Sequence, residues 1–227
     1  MKTFYNNLKG RYVGFAGRCL QTLDRWSPVD LHINRLSFMT HTFLFRDLEH
    51  CREMLTEYYT KVGRELKILC VGCSKGQEPY SIAILCHAIG IPVKITAFDL
   101  SAPAIDIARQ GAYDLAAERQ KAKEGPDDEA LRLLDKYDSS FDNQMDSDGK
   151  RTVRREIQET VEFIVKDVED LQYADVFDLI FCKKMMWYLP KAKRHTALVA
   201  MQRALKTGAP MHNIIFDSYT KRLLKST

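Results

Sequence analysis

The stretch LKILCVGCSKGQEPYSIAILCHAIG, Leu66 to Gly90, joins an apolar run, a turn with two glycines four apart, and a helical pattern. The run Leu66–Gly72 fits a buried strand, being short, apolar and bounded by glycine. A turn from Gly72 to Gly76 follows. The next segment reads as a helix, with Pro79 at its start, where a missing N–H costs nothing, and Gly90 at its stop. Downstream, VKITAFDL is a second strand, and SAPAIDIARQGA is a helix capped by Ser101. Strand, helix, strand, helix is the rhythm of a parallel α/β sheet.

Upstream of that stretch, residues 1–38 have helical spacing of apolar residues interrupted by glycines, and Ser27-Pro28 breaks the pattern. An amphipathic helix is predicted from about Arg46 to Lys61. Downstream, residues 115–155 break the α/β rhythm. DDEALRLLDKY is a predicted helix, and Asp148-Gly149 reads as a hairpin turn rather than a calcium loop, whose first and last ligand positions would be Gln144 and Arg155. The flanking segments then form a small antiparallel sheet inserted at about 137–166. The core resumes with strand FDLIFC, helix KAKRHTALVAMQRALK and a last strand, HNIIFDS. The expected division is a helical region over 1–62 and an α/β domain over 63–227.

With 227 residues, the chain is long enough for one good-sized core. A net charge of +4 with no long basic block gives no electrostatic argument for nucleic acid. No apolar run approaches the length of a membrane span, so no membrane insertion is expected and a cytoplasmic location is the default. The six cysteines do not form a disulfide framework in a chain this long. Cys70-x-x-Cys73 reads as a core cysteine plus a loop cysteine, although a redox pair also follows a strand. Zinc would need a second ligand pair, and none is suitably spaced.

The turn discriminates among cofactors. A dinucleotide site would need G-x-G-x-x-G and a phosphate loop would end in Gly-Lys-Ser/Thr, whereas the chain reads GCSKGQE. Glu78, near the helix start, would repel pyrophosphate and attract a cation. S-adenosylmethionine carries a sulfonium and an ammonium and suits that carboxylate. Asp99 ends the second strand about 20 residues on, where an acid accepts ribose hydroxyls. The bland readings are a first-turn carboxylate for Glu78 and a capping acid beside Ser101 for Asp99. The two together favour an adenosyl cofactor.

GCSKGQEPYSIAI resembles the Gly-Cys-Ser-x-Gly-x-Glu-Pro-Tyr-Ser signature of the chemotaxis-receptor glutamate methyltransferases, the CheR family. MTHTFLFRD resembles that family's Asn-x-Thr-x-Phe-Phe-Arg segment, QGAY its Gly-x-Tyr, and FDLIFCKKMMWYL its Phe-Asp-x-Ile-Phe-Cys-Arg-Asn strand. The resemblance implies a Rossmann-like class I methyltransferase sheet, with a short helical N-terminal region and an inserted antiparallel β-subdomain. It implies S-adenosylmethionine as cofactor and a receptor glutamate as acceptor. Thr40, Thr42, Arg46, Gly72, Ser74, Glu78, Asp99, Asp167, Val168 and Lys183 would line the cofactor site, with Arg46 and Tyr188 beside the reacting centre. The β-subdomain would be either a dock for a receptor tether or a structural flap.

The chain also departs from the family. Thr40 replaces Asn, Leu44 replaces the first Phe, and Lys183-Lys184 replace Arg-Asn at the rim of the cofactor site. Two ammonium groups there disfavour a sulfonium unless they point outward, or else they greet an acidic substrate. The N-terminal helical region is short for the family and the segment after Gly208 lacks its Gly-His-Ser-Glu strand end. A different acceptor, a small molecule or another protein group, and a non-catalytic binding module therefore remain alternatives.

Overall fold

A computed structural model describes residues 42–124, 128–183, 185–208 and 214–216. The N-terminal helical expectation, Thr40 and Lys184 lie outside the described residues. Helix α1 (Glu49–Val62) leads into β1 (Leu66–Val71), α2 (Gln77–Ala88), β2 (Val93–Asp99) and α3 (Ala102–Gln110). The first helix begins later than its periodicity predicts, because Phe45 and Asp47 are in left-handed conformations that hold Arg46 in a turn. α2 begins two residues before Pro79, after Gly76 at φ +86. Ser101 caps α3 by accepting from the Ala104 N–H, as the sequence predicts.

The strand β3 (Ala112–Tyr113) precedes helices α4 (Leu115–Lys123) and α5 (Glu129–Lys136). Strands β4 (Phe141–Met145) and β5 (Arg151–Val153) follow, and the short helix α6 (Arg155–Gln158) leads to β6 (Val161–Val165). The antiparallel sheet has the order β3-β5-β4. Its hairpin closes at Gly149, φ +75, where the Asp146 carboxylate accepts from the Asp148 and Lys150 N–H groups. Strand β6 was expected inside this insert. It pairs instead in parallel with β2, from Ile95↔Val161 to Asp99↔Val165, and so belongs to the main sheet.

The chain then runs through β7 (Leu179–Phe181), the single turn α7 (Met185–Tyr188), α8 (Lys191–Ala204) and β8 (Ile214–Ile215). The main sheet is parallel throughout, in the order β6-β2-β1-β7-β8. Both faces are covered, which explains the continuous apolar runs. On one face Ile68, Cys70, Ile95 and Phe181 pack with Tyr80 and Ile84 of α2. On the other, Leu69, Val71, Phe98 and Ile180 pack with Ala197 and Met201 of α8. The sheet order reverses between β1 and β7, and crevices for ligands open at such a reversal, beyond the carboxyl ends of the strands. Among the described residues, no helix is long and apolar enough to cross a membrane.

Candidate active site

The turn after β1 is fastened to the end of β2. The Gly72 and Cys73 N–H groups both donate to the Phe98 carbonyl, at 2.9 and 3.0 Å. Ser74, at φ +50, donates its N–H to Asp99 Oδ2 at 2.8 Å, and the Ser101 N–H donates to Oδ1 at 2.9 Å. Burial raises the Asp99 pKa above the ordinary carboxylate range, against the pull of these N–H groups. Each oxygen accepts one of these bonds and retains a second lone pair for a hydroxyl.

Gly72 and Gly76 leave no room for a side chain. A Cβ on Gly72 would lie 2.8 Å from Met185 Cβ, and one on Gly76 would lie 2.9 Å from Ala108 Cβ and 3.0 Å from Tyr113 Oη. Both are needed for protein packing, which seats α7 and β3 against the turn. Cys70 and Cys73 are free and buried, and burial pushes both thiols well above their ordinary range. Cys73 lies in the turn, as the sequence predicts, but is buried there, and neither sulfur is a ready thiolate.

Glu78 opens the first turn of α2, and Ser81, three residues on, shares its face. They line a small cleft together with Thr42, Phe43, Arg46 and Leu48. Lys183 follows β7 and turns inward. Its side chain is only 2% exposed and its Nζ lies 3.3 Å from Glu78 Oε1. It also donates to the carbonyls of Arg46 and Asp47, at 3.3 and 3.1 Å. The expectation that this ammonium points outward, or meets an acidic substrate, is therefore corrected. Glu78 carries a built-in counter-charge.

The remaining residues fall at neighbouring strand ends. Asp167 follows β6 and caps a 3-10 turn by accepting from the Glu169 N–H, while Val168 is buried against Leu69, Val71 and Phe98. Tyr188 ends α7 and is 36% exposed. Arg194 donates from Nε to the carbonyls of Met186 and Leu189, bracketing that tyrosine from α8. Thr42, Arg46, Glu78 and Lys183 thus gather at one cleft, and Gly72, Ser74 and Asp99 form the adjoining turn.

The donor set fits an adenosyl cofactor. Ser74 Oγ and Gln77 Oε1 are buried without a hydrogen-bond partner among the described residues, the kind of orphan a ligand satisfies. Beside them lie one carboxylate for an ammonium, Glu78, and one for a ribose, Asp99. Gln77 and Ser81 were missed from the sequence. Ser81 was accessible through the helical period from Glu78, whereas Gln77 gives no signal beyond its neighbours.

Residues 40–212 match the family model described as CheR methyltransferase, SAM binding domain. The chain is 34% identical over 184 residues to chemotaxis protein methyltransferase 2 of Pseudomonas aeruginosa, which covers 78% of this chain and 62% of the relative. It is 28% identical over 171 residues to the chemotaxis protein methyltransferase of Borreliella burgdorferi, covering 68% of this chain and 56% of the relative. It therefore spans 56% and 62% of the length of these two curated relatives. Among solved structures, it overlays on the N-methyltransferase NodS from Bradyrhizobium japonicum in complex with S-adenosyl-l-homocysteine. That overlay has a TM-score of 0.40 and 17% identity, and covers 77% of this chain and 65% of the other. On the family match alone, which takes in every segment of the cleft from the Arg46 turn to α7, the chain belongs to the CheR methyltransferase family through its S-adenosylmethionine-binding domain.

Proposed function

We propose that the protein methylates a glutamate side chain of a chemotaxis-receptor protein, forming a methyl ester. When bound, S-adenosylmethionine supplies a methyl group on a positively charged sulfur, which departs as neutral adenosylhomocysteine. A carboxylate acceptor would take that methyl group on one oxygen, the S–C bonding pair staying with the sulfur, while Glu78 and Arg46 would hold cofactor and acceptor in place. An ionised carboxylate has no proton to lose near neutral pH, so the residues have no general-base task. Their work is alignment, desolvation and charge placement.

In this reading Glu78 faces the cofactor ammonium and Asp99 takes the ribose hydroxyls. Ser74 and Gln77 offer their buried oxygens, and Asp167 and Val168 flank the adenine. Thr42 lines the same cleft as Glu78. Arg46 draws the acceptor carboxylate in and strips its water, and Tyr188 orients one of its oxygens by a hydrogen bond. The observation that carries the reading is Arg46 and Glu78 lining one cleft, beside the β1/β7 reversal, within the stretch that matches the family. The acceptor is supported by the names of the relatives, and a cytoplasmic location would follow from it.

The test uses methyl-labelled S-adenosylmethionine and a chemotaxis-receptor cytoplasmic fragment as acceptor. Label should enter the receptor and be released as methanol by mild base, as an ester requires. A base-stable label would overturn the carboxylate assignment and transfer the acceptor to another group.

A further inference from the structure

The turn that carries Arg46 has an unusual backbone. Phe45 and Asp47, on either side of the arginine, have φ values of 61 and 50. Non-glycine residues hold this region only where their surroundings enforce it. Here the enforcement comes from side chains far away in sequence. Glu118 of α4 is 3% exposed, and its Oε2 accepts from the Leu44 N–H at 2.8 Å while Lys121 Nζ sits 2.7 Å from Oε1. Ser81 Oγ accepts from the Phe45 N–H at 2.8 Å, and Glu129 Oε1 of α5 accepts from the Leu48 N–H at 3.0 Å. Lys183 grips the other side of the same turn through the Arg46 and Asp47 carbonyls. The Leu44 and Phe45 side chains are fully buried beneath it.

We propose that Glu118 and Lys183 are positioning residues that clamp the 44–48 turn from its amide side and its carbonyl side, and so fix Arg46 over the cleft. The proposal rests on the reading of Arg46 as the residue that meets the acceptor. Glu118 acts through the backbone of the turn. Lys183 acts through the same turn and through Glu78, tying the cofactor carboxylate and the acceptor arginine into one unit. Both clamping groups are charged, and hydrogen bonds to charged groups are the stronger kind. The clamp also gives a role to the glutamate buried on α4.

Amide hydrogen exchange on the full chain, compared with kinetics, tests the clamp. In Glu118→Ala, exchange at Leu44, Phe45 and Leu48 should rise about tenfold relative to Ile68 and Leu69 of β1. The kcat should fall by a similar factor while the Kd for adenosylhomocysteine stays within about twofold. Glu118→Gln should retain most of the protection, because its amide oxygen still accepts from Leu44. Lys183→Met should loosen the same amides, and it decides the matter if Glu118→Ala does not fold. Unchanged exchange in the turn, or an equal rise in β1, would overturn the clamp. Should the unaltered protein transfer no methyl group, the functional reading fails, while the exchange result still decides the clamp.

Discussion

Arg46 and Tyr188 are the residues that the mechanism holds nearest the reacting carboxylate. Arg46→Ala should lower kcat/KM by about a hundredfold, the scale of losing a charge-assisted bond at a reacting centre, with the thermal midpoint little changed. Tyr188→Phe removes one hydroxyl and should cost about tenfold in kcat, with adenosylhomocysteine binding unaltered. Steady-state kinetics beside thermal denaturation check both. At this scale the sequence was informative about identity and poor about partners. Glu78 and Asp99 were legible, since a first-turn carboxylate and a strand-end acid have positions fixed by the α/β repeat. The inward course of Lys183 was not, because its partners are the carbonyls of Arg46 and Asp47, 137 and 136 positions away. No local pattern encodes such a contact.

Among the elements, the turn from Gly72 to Gly76 carries the strictest steric demand. Gly76 lies at φ +86, and an added Cβ would press on Ala108, Tyr113 and Phe163. Gly76→Ala should therefore cost about 2–4 kcal/mol by combining left-handed strain with overpacking. Urea denaturation measures it, and a loss below about 0.5 kcal/mol, within the usual range of a harmless surface change, would contradict this packing account. Strands β1 and β2 were legible as apolar runs bounded by turns. Strand β6 was placed in the insert because VEFIV follows the hairpin closely and alternates enough to pass for an antiparallel edge. Its pairing with β2 is decided by the crossover through α3 and the insert, a tertiary fact. β3 has only two residues and is too short for any periodicity to reveal.

For the whole molecule, the end of the sheet opposite the cleft is held by a buried carboxylate. Asp178 has a side chain of 0% exposure and pairs with Arg64 at 2.6 Å and Lys206 at 3.2 Å, while also accepting from the Lys67 N–H. Burial alone would raise its pKa, but Arg64, the Lys67 N–H and Lys206 together outweigh that and leave it below the ordinary range. A carboxylate depressed in the folded state contributes stability above its unfolded pKa of about 3.9, and loses it as the pH falls through the folded value. Denaturation midpoints should fall from about pH 7 to about pH 3, and Asp178→Asn should flatten that acid limb while lowering stability at neutral pH. A limb of unchanged slope would remove Asp178 from the account. The parallel order of the sheet and its covering on both faces were legible in the alternation of strands and helices. The convergence of α2, α4, α5 and β7 on one turn was not, since it depends on how the layers pack. In the proposed reading the cleft holds a cationic adenosyl cofactor, and titration calorimetry addresses that claim most directly. The protein should bind S-adenosylmethionine at one site per chain, with affinity about tenfold weaker or more in Glu78→Gln. The absence of binding, or equal affinity in the variant, would contradict it.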